Sequence, residues 1–462
     1  MTFFSRVCRP LAALLLLNSL CAAQQTVYNV HDYGVLGRAR HVSDGAMTAG
    51  STELISESAN FSTADINQPI SVLGAAKQEI TGVGSVSGAP LLTTITGVVN
   101  ARTVTLAAPA VASVAGASVT WGPDDTKAIQ TLIEHVQSSG GGTIYFPAGL
   151  YRVSSAAFAP ALTIRGSNVR LTGASASAAI LFNSEIAFNA QKINGVIYSD
   201  QRGAPVLYIN AGGADAPAAV SNVEVDNLTL EDNGRDYNYA VVGPEGPGVL
   251  GTQTWPDGKS SINNFTFRHL VIRTNYLCGI NVDSLGSGYS IQGSTIISNG
   301  NHLMYLAGAA TNGSVTDNTL LGGTVIGTGA PRIGIAVKNS YLTIARNYID
   351  HVQFAGILLG ESPNVPVNNV KVENNILADL TPSGTAGIFI SWASDAAITG
   401  NTVSDSTNPA IMLWTGQSIS NVSITRNILA KVPDGISQHQ MAPTASITGI
   451  TTEDNYVQTV SY

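Results

Sequence analysis

Five side chains that can exchange protons lie in the second half of the chain: Asp283, His302, Tyr305, Lys338 and Glu361. Carboxyl groups serve as general acids or bases, and histidine, lysine and tyrosine can remove a proton from a substrate. Each of the five lies in or beside one of the short apolar segments that recur through this half of the chain. We therefore predict them as catalytic residues of one site.

Aromatic and positively charged side chains accompany this set. Trp255, Trp392 and Trp414 offer flat apolar faces that can stack on the C–H surfaces of sugar rings, and Arg332 can hold an anionic group. Each of them also has an ordinary interpretation as a turn residue, a solvated charge or a core contact. Together they indicate a saccharide groove, and we predict these four as substrate-binding residues.

Charged residues are scarce, so the few that occur are informative. Of 462 residues, 22 are Lys or Arg and 30 are Asp or Glu, or 11%, whereas 44% are hydrophobic and 47 are glycine. Disordered chains and coiled coils need far more charge. Proteins that bind nucleic acids present a basic surface, so the net charge of −8 argues against a nucleic-acid partner. The composition favours an all-β protein.

The N-terminus predicts a secretory signal peptide over residues 1–23. Arg6 and Arg9 precede a short apolar run, and small residues at the end of Cys21-Ala22-Ala23 place cleavage before Gln24. No later segment reaches the roughly 18 consecutive apolar residues that a membrane span needs, so no membrane partner is expected. Cys278 remains as a single thiol after cleavage, which predicts an inert buried cysteine.

Asparagines recur with a regular period through the C-terminal half, at positions 318, 347, 375, 401, 427 and 455. A period of 24 to 29 residues with short apolar strands is typical of one coil of a parallel β-helix. Because asparagine tolerates left-handed turns and its amide can bond to the next coil, the column needs no functional explanation. The leucine frame of a leucine-rich repeat is missing.

Three segments near the N-terminus carry a family resemblance. These are Tyr28 to Gly34, Asp124 to Gln130 and Gly140 to Tyr151, and the second begins an amphipathic helix predicted over residues 124–138. They resemble the N-terminal segment of the pectin-lyase-like superfamily, especially of rhamnogalacturonase-like proteins, polygalacturonases and phage tailspikes in the pectate lyase superfamily. The resemblance implies a right-handed, single-stranded parallel β-helix with a capping helix, and a polysaccharide substrate.

The predicted domain organisation departs from this family in one insertion. Residues 24–45 form the N-terminal strand region, residues 46–121 a small inserted β-subdomain, and residues 122–462 the capping helix and the coils. The long loop 231–262 concentrates charged and aromatic residues, so we predict a groove wall there.

Three mechanisms remain open at this stage. A hydrolase needs two carboxylates, and the polygalacturonase acid motifs are replaced here by Tyr276-Leu277-Cys278 and Gly300-Asn301-His302. A lyase needs a base and a cation that neutralises a uronate carboxylate, and Arg332 and Lys338 could form such a basic patch in a mildly acidic chain. A non-catalytic, tailspike-like binding rod is the alternative.

The sequence therefore predicts a secreted protein, extracellular or periplasmic, that cleaves glycosidic bonds of a polysaccharide as a hydrolase or a β-eliminating lyase. No cofactor is expected; Ca²⁺ is compatible with a lyase, but no cluster of aspartates indicates it. The oligomeric state is not specified.

Overall fold

The computed structural model describes most of the chain. The described ranges are residues 25–80, 84–154, 160–185, 189–193, 196–200, 206–211, 219–232, 250–254, 261–274, 278–298, 302–322, 333–360, 366–380 and 386–460. The predicted signal peptide lies outside them.

Three long parallel sheets build the main body, and consecutive coils contribute one strand to each. The first sheet has 13 strands, namely Val27–Asn29, Gly142–Phe146, Val169–Gly173, Ala219–Asp226, Ser261–Arg268, Ser287–Gln292, Thr311–Thr316, Ser340–Ala345, Val367–Asn368, Val370–Glu373, Ala393–Thr399, Ser418–Thr425 and Ser446–Glu453. The second sheet has ten, namely Leu162–Ile164, Leu207–Ala211, Leu250–Thr254, Cys278–Asp283, His302–Leu306, Ile333–Val337, Ala355–Leu359, Ala386–Ile390, Ile411–Thr415 and Ile436–Gln440.

The third sheet completes each coil between the first and the second. Its 11 strands are Gly149–Ser154, Ala179–Glu185, Thr229–Asp232, Val271–Thr274, Thr295–Ser298, Thr319–Gly322, Tyr348–Asp350, Ile376–Ala378, Thr402–Ser404, Ile428–Val432 and Tyr456–Thr459. Every strand pairs in parallel with its counterpart one coil away, as Thr319 with Tyr348 and Tyr348 with Ile376. The predicted right-handed parallel β-helix is confirmed.

Aliphatic residues fill the space between the sheets in stacked columns. One column of the third sheet is wholly buried and consists of Leu320, Ile349, Leu377, Val403 and Leu429. Because the strand period is two, the alternate residues of each strand face outward. A functional site in the coils must therefore lie on an outer face or in the turns.

The asparagine column forms a ladder at the turn between the first and third sheets. Asn375 is fully buried, and its Nδ2 donates to the carbonyl of Ile344 at 2.9 Å and to Oδ1 of Asn401 at 2.9 Å. Its Oδ1 accepts from the backbone N–H and the Nδ2 of Asn347, both at 2.9 Å. Each asparagine thus ties three coils together.

The left-handed turn residue precedes the ladder asparagine. Asn374 has φ +55° and Arg346 has φ +55°, whereas the ladder residues have ordinary negative φ. The expectation that the ladder asparagine itself adopts the left-handed turn is wrong. Burial and amide hydrogen bonds, and not backbone conformation, select asparagine there.

The helix Thr126–Ser138 covers the N-terminal end of the coils. Its predicted apolar stripe is confirmed, since Ile129, Leu132, Ile133 and Val136 are all buried. The Asp125 carboxylate accepts from the N–H groups of Leu36 and Gly37 at 2.8 and 3.0 Å. Burial raises the pKa of Asp125, and these two hydrogen bonds oppose the shift.

Residues 40–80 and 84–121 fold into a closed antiparallel barrel with its own apolar core. Its strands are Arg40–Met47, Glu53–Ile55, Pro69–Ile80, Gly84–Asn100, Thr103–Leu106 and Val114–Trp121. The barrel begins before the predicted boundary at residue 46, because Arg40 pairs with Trp121. Two 3₁₀ turns, Val30–Tyr33 and Thr63–Asp65, and an antiparallel hairpin, Asn189–Ile193 with Val196–Asp200, complete the described elements. The domain division as a whole stays a prediction.

A buried arginine fixes the barrel to the coils. Arg152 is 2% exposed; its Nε donates to the Ser184 hydroxyl at 2.7 Å, and its Nη1 donates to the Gly122 carbonyl at 3.3 Å. His41 lies at the same junction, where its Nε2 is 2.9 Å from the Ser118 hydroxyl and its ring is 4.5 Å from that of Phe182. This contact between barrel and coils is sensitive to protonation.

We expect acid to weaken the junction through His41. Burial lowers the pKa of His41 from 6.5 to about 4, so the folded protein favours the neutral imidazole. Its contribution to stability is complete above pH 6.5 and is lost as the pH falls toward about 4, by at most about 3 kcal/mol. Thermal unfolding at pH 7 and pH 4.5 should show a smaller pH-dependent drop in Tm for His41→Gln than for the parent. An equal drop would contradict this assignment.

Within the described part of the chain, no helix has the length and apolarity that crossing a membrane requires.

Candidate functional site

The outer face of the second sheet collects most of the predicted site residues. Strand register aligns Asn281 with Tyr305, and Tyr305 with Ala336. In the same strands, the pairing of Val282 with Leu306 and of Leu306 with Val337 places Asp283 and Lys338 in a neighbouring column. These are the columns that the sequence repeat predicts.

Four of the side chains form a connected group. The Lys338 Nζ donates to the Tyr305 hydroxyl and lies 4.7 Å from the centre of its ring. The rings of His302 and Tyr305 stack with centroids 4.9 Å apart, and the His302 Nδ1 lies 3.8 Å from the Cys278 sulfur. The four residues come from three successive strands of the sheet, so the register alone brings them together.

Exposure decreases from Asp283 to His302. Asp283 is exposed, Lys338 is half-buried, Tyr305 is 5% exposed, and His302 and Cys278 are fully buried. A ligand on this face therefore meets Asp283 and Lys338 first. His302 lies beneath this surface, with its ring stacked on that of Tyr305.

The Asp283 carboxyl has an altered acidity. Although its side chain is exposed, partial desolvation by the surrounding protein raises its pKa, and the positive charge of Lys338 opposes that shift. Asp283 and Lys338 are two strands apart in their column, or about 10 Å between backbones. A carboxyl group that retains its proton to a higher pH suits a proton donor.

Asn281 belongs to this group and was not among the predicted site residues. It is 6% exposed, lies two residues before Asp283, and its Oδ1 has no hydrogen-bond partner in the structure. A buried polar atom without a partner is costly unless a ligand or water satisfies it. Its position in the same column as Tyr305 is the sequence feature that could have identified it as a site residue.

Apolar side chains form the floor beyond Lys338. The buried cluster on this face includes Ile333, Ala336, Leu358, Phe389 and Met412. This stretch is apolar and at most 9% exposed, so it offers no polar contacts to a ligand. Polar, accessible side chains lie at its two ends, with Asp283 and Lys338 at one and His439 at the other.

Two predicted tryptophans lie further along the face. Trp414 packs against the apolar cluster and lies 5.4 Å from the ring of His439, and both Trp392 and Trp414 are half-buried. Gly360 has φ +79°, and a Cβ at that position would lie 2.2 Å from the Trp392 carbonyl oxygen, so only glycine fits there. Trp414 follows Lys338 by three strands, or about 14 Å.

Three predicted site residues, Trp255, Arg332 and Glu361, lie outside the described residues. The same holds for most of the loop 231–262. Their predicted roles in substrate binding, in catalysis and in a groove wall stay predictions.

Among the residues that the structure describes, one group of metal-ligating side chains comes together: Asp350, His351 and Asp379. It lies at the turn that follows the third-sheet strands, and not on the face that carries Asp283 and Lys338.

The comparisons with known proteins agree with this architecture. The family model NosD, described as a periplasmic copper-binding protein, matches residues 257–458. Mannuronan C5-epimerase AlgE6 of Azotobacter vinelandii is 41% identical over 78 residues, which are 16% of this chain and only 9% of that protein. Mannuronan C5-epimerase AlgE3 of the same organism is 34% identical over 122 residues, which are 26% of this chain and 6% of that protein.

Among solved structures, the tailspike protein of E. coli bacteriophage HK620, as a double mutant, matches with a TM-score of 0.50 at 13% identity, over 73% of this chain and 61% of that chain. The AlgE4 A-module of Azotobacter vinelandii matches with a TM-score of 0.49 at 17% identity, over 74% of this chain and 94% of that chain. The chain is a right-handed parallel β-helix protein, and its structural neighbours include carbohydrate-active proteins and tailspikes.

Proposed function

We propose that this chain is a secreted carbohydrate-active enzyme that removes the proton from C5 of a uronate unit in a polysaccharide. The observation that carries the proposal is the Lys338 ammonium donating to the Tyr305 hydroxyl beside Asp283 on one outer face. An ammonium group beside a phenol oxygen stabilises the phenolate, which is a competent carbon base. The same positive charge stabilises the anion that forms next to the uronate carboxylate.

The proposed reaction begins with transfer of the C5 proton to the Tyr305 oxygen. The electron pair of the C5–H bond moves into the carboxylate group and gives an enolate-like anion. In elimination, this pair then forms the C4–C5 double bond while the C4–O bond breaks and the leaving oxygen takes a proton from Asp283. In epimerisation, C5 regains a proton on its other face from the Asp283 carboxyl or from water, and no bond of the chain is cut.

Hydrolysis fits the same face less well. Inverting and retaining glycosidases need two carboxyl groups, about 5 to 9.5 Å apart. In the ten described strands of the second sheet, Asp283 is the one acidic residue. Elimination or epimerisation therefore fits this face better, because each needs only a base, a positive charge and one proton donor, which Tyr305, Lys338 and Asp283 supply.

The relatives support a uronate substrate. AlgE6 and AlgE3 carry the name mannuronan C5-epimerase, and C5 epimerisation begins with the same proton abstraction as β-elimination. The predicted signal peptide over residues 1–23 and the periplasmic description of the NosD family support export across the cytoplasmic membrane.

A substrate panel tests the proposal. The mature chain is incubated with pectin, rhamnogalacturonan, alginate and neutral glycans, and reducing ends, ultraviolet absorbance of unsaturated products and C5 configuration by NMR are measured. We expect activity on a uronate polymer and none on neutral glycans. Reducing ends without an unsaturated product would establish hydrolysis and overturn the proposal.

We expect the activity to depend on the protonation of Asp283. Because its pKa is raised, Asp283 donates a proton up to a higher pH than an ordinary aspartate, and kcat/KM should fall as the pH rises past that value. Asp283→Asn should lower kcat/KM by about 10²-fold and abolish this alkaline decline. An unchanged pH profile in the variant would remove Asp283 from the mechanism.

A non-catalytic glycan-binding rod is the second candidate. The observation in its favour is the burial of His302 and Tyr305, which are 0% and 5% exposed. Binding of a glycan without any product across the panel, together with loss of binding in Trp414→Ala, would support this function instead.

A further inference from the structure

The turn between the third and second sheets carries a compact group of metal-ligating side chains. Asp350 and His351 end one third-sheet strand, and Asp379 follows the equivalent strand one coil later. Asp350 pairs with Ala378 in the sheet, which places His351 beside Asp379. One donor atom from each residue lies within 4.8 Å of the other two.

The imidazole of His351 bridges the two carboxylates. Its Nδ1 lies 2.9 Å from the Asp350 Oδ1, and its Nε2 lies 3.9 Å from the Asp379 Oδ2. Histidines that bind metals commonly donate their second ring N–H to a carboxylate, which fixes the ring. Asp350 lies where such a carboxylate would be, and its Oδ1, which makes no hydrogen bond in the structure, is also placed to serve as a ligand. The Nε2 of His351 faces Asp379.

The spacing suits a bound ion. Two ligands about 2.0 to 2.1 Å from one metal ion lie about 3.3 Å apart at a tetrahedral angle. The 3.9 Å separation between Nε2 and Oδ2 is close to this value, and the Asp379 side chain is 63% exposed and free to adjust.

Charge also favours a dication. Among the described residues, His351 is the one basic partner of both Asp350 and Asp379. The nearby Arg346 instead pairs with Asp317, and Lys431 pairs with Asp405. Asp350 is held in place from its other side, since the Tyr348 hydroxyl donates to its Oδ2 at 3.1 Å. Two carboxylates that share one imidazole form a site that attracts a cation.

We propose that His351 and Asp379 bind a divalent transition-metal ion of the zinc class, with Asp350 orienting His351 or serving as a third ligand. Imidazole and carboxylate together select such ions, whereas Ca²⁺ prefers oxygen ligands alone. Because the ligands come from two successive coils, the ion ties these coils together at the turn.

Zinc titration of the full mature chain, without a histidine tag and after chelator treatment, tests the site. In competition with a chromogenic chelator, we expect the chain to bind one Zn²⁺ ion at micromolar or tighter affinity. Added Ca²⁺ should not displace this Zn²⁺. His351→Asn and Asp379→Asn should each weaken Zn²⁺ binding at least tenfold, and Asp350→Asn about tenfold. Asparagine suits both turn positions, because His351 and Asp379 have φ +56° and +47°.

A matched control and a stability measurement complete the test. His439→Gln removes an exposed histidine from another sheet and should bind Zn²⁺ as the parent does. Zn²⁺ should raise the Tm of the parent and of His439→Gln but not of His351→Asn, whose metal-free Tm reports that it folds. Absence of tight Zn²⁺ binding in the parent, or parental affinity in His351→Asn, would overturn the proposal.

Discussion

Replacing Lys338 by methionine should lower kcat/KM on a uronate polysaccharide by about 10²- to 10⁴-fold. The Lys338 ammonium donates to the Tyr305 hydroxyl, so its loss removes both the stabilisation of the phenolate base and the positive charge next to the substrate carboxylate. Methionine retains the length and the apolar stem of lysine, so the coil should fold normally. The loss should appear mainly in kcat, because the charge acts most strongly on the transition state.

Lys371→Met is the matched control. Lys371 is an exposed lysine on the first sheet, away from the second-sheet face, and its replacement removes one positive charge just as Lys338→Met does. Tyr305→Phe should resemble Lys338→Met, and the double variant should be no worse than either single variant, because the two groups act as one unit. Equal activity of Lys338→Met and Lys371→Met would contradict the assigned base.

Replacing Asn375 by alanine should lower the free energy of unfolding by about 3 to 5 kcal/mol. The side chain makes four hydrogen bonds in a fully buried site, two as donor and two as acceptor. Alanine takes the acceptor from the buried Asn347 N–H and removes one donor each from the Ile344 carbonyl and the Asn401 Oδ1, and a buried polar group left unpaired costs about 1 to 3 kcal/mol. Chemical denaturation followed by circular dichroism measures the difference.

Asn408→Ala provides the comparison, since Asn408 is half-buried and its Nδ2 donates only to the Thr407 hydroxyl, at 3.3 Å. We expect a change within about 0.5 kcal/mol for this variant. If Asn375→Ala were as stable as Asn408→Ala, the ladder would contribute little to holding the coils together.

The coil architecture could be predicted because it is local and periodic. Each ladder asparagine such as Asn347 or Asn375 occupies the same slot of a repeated segment, and register follows once these slots are aligned. The same alignment placed Tyr305 and Lys338 on adjacent strands. A one-residue shift in the alignment of the repeats would place both side chains in the core. The predicted contact between them therefore depends on the correct alignment.

Burial on the outer face could not be predicted in the same way. Leu358, Phe389 and Met412 alternate with inward residues, and a strand that is apolar on both faces gives no signal for which side is covered. The desolvation of Asp283 depends on the surrounding protein and not on its own strand. The approach of His351 to Asp379 could not be predicted either, because it requires the register of the next coil.

Solvent-isotope exchange at C5 tests the proposed chemistry most directly. Polymannuronate or polygalacturonate is incubated with the mature chain in D₂O, and the C5 position and any C4–C5 double bond are monitored by NMR, with Lys338→Met in parallel. We predict deuterium at C5 or an unsaturated end with the parent, and neither with Lys338→Met. A polymer that is bound or cut by the parent with its C5 protons intact and no double bond would contradict proton abstraction at this site.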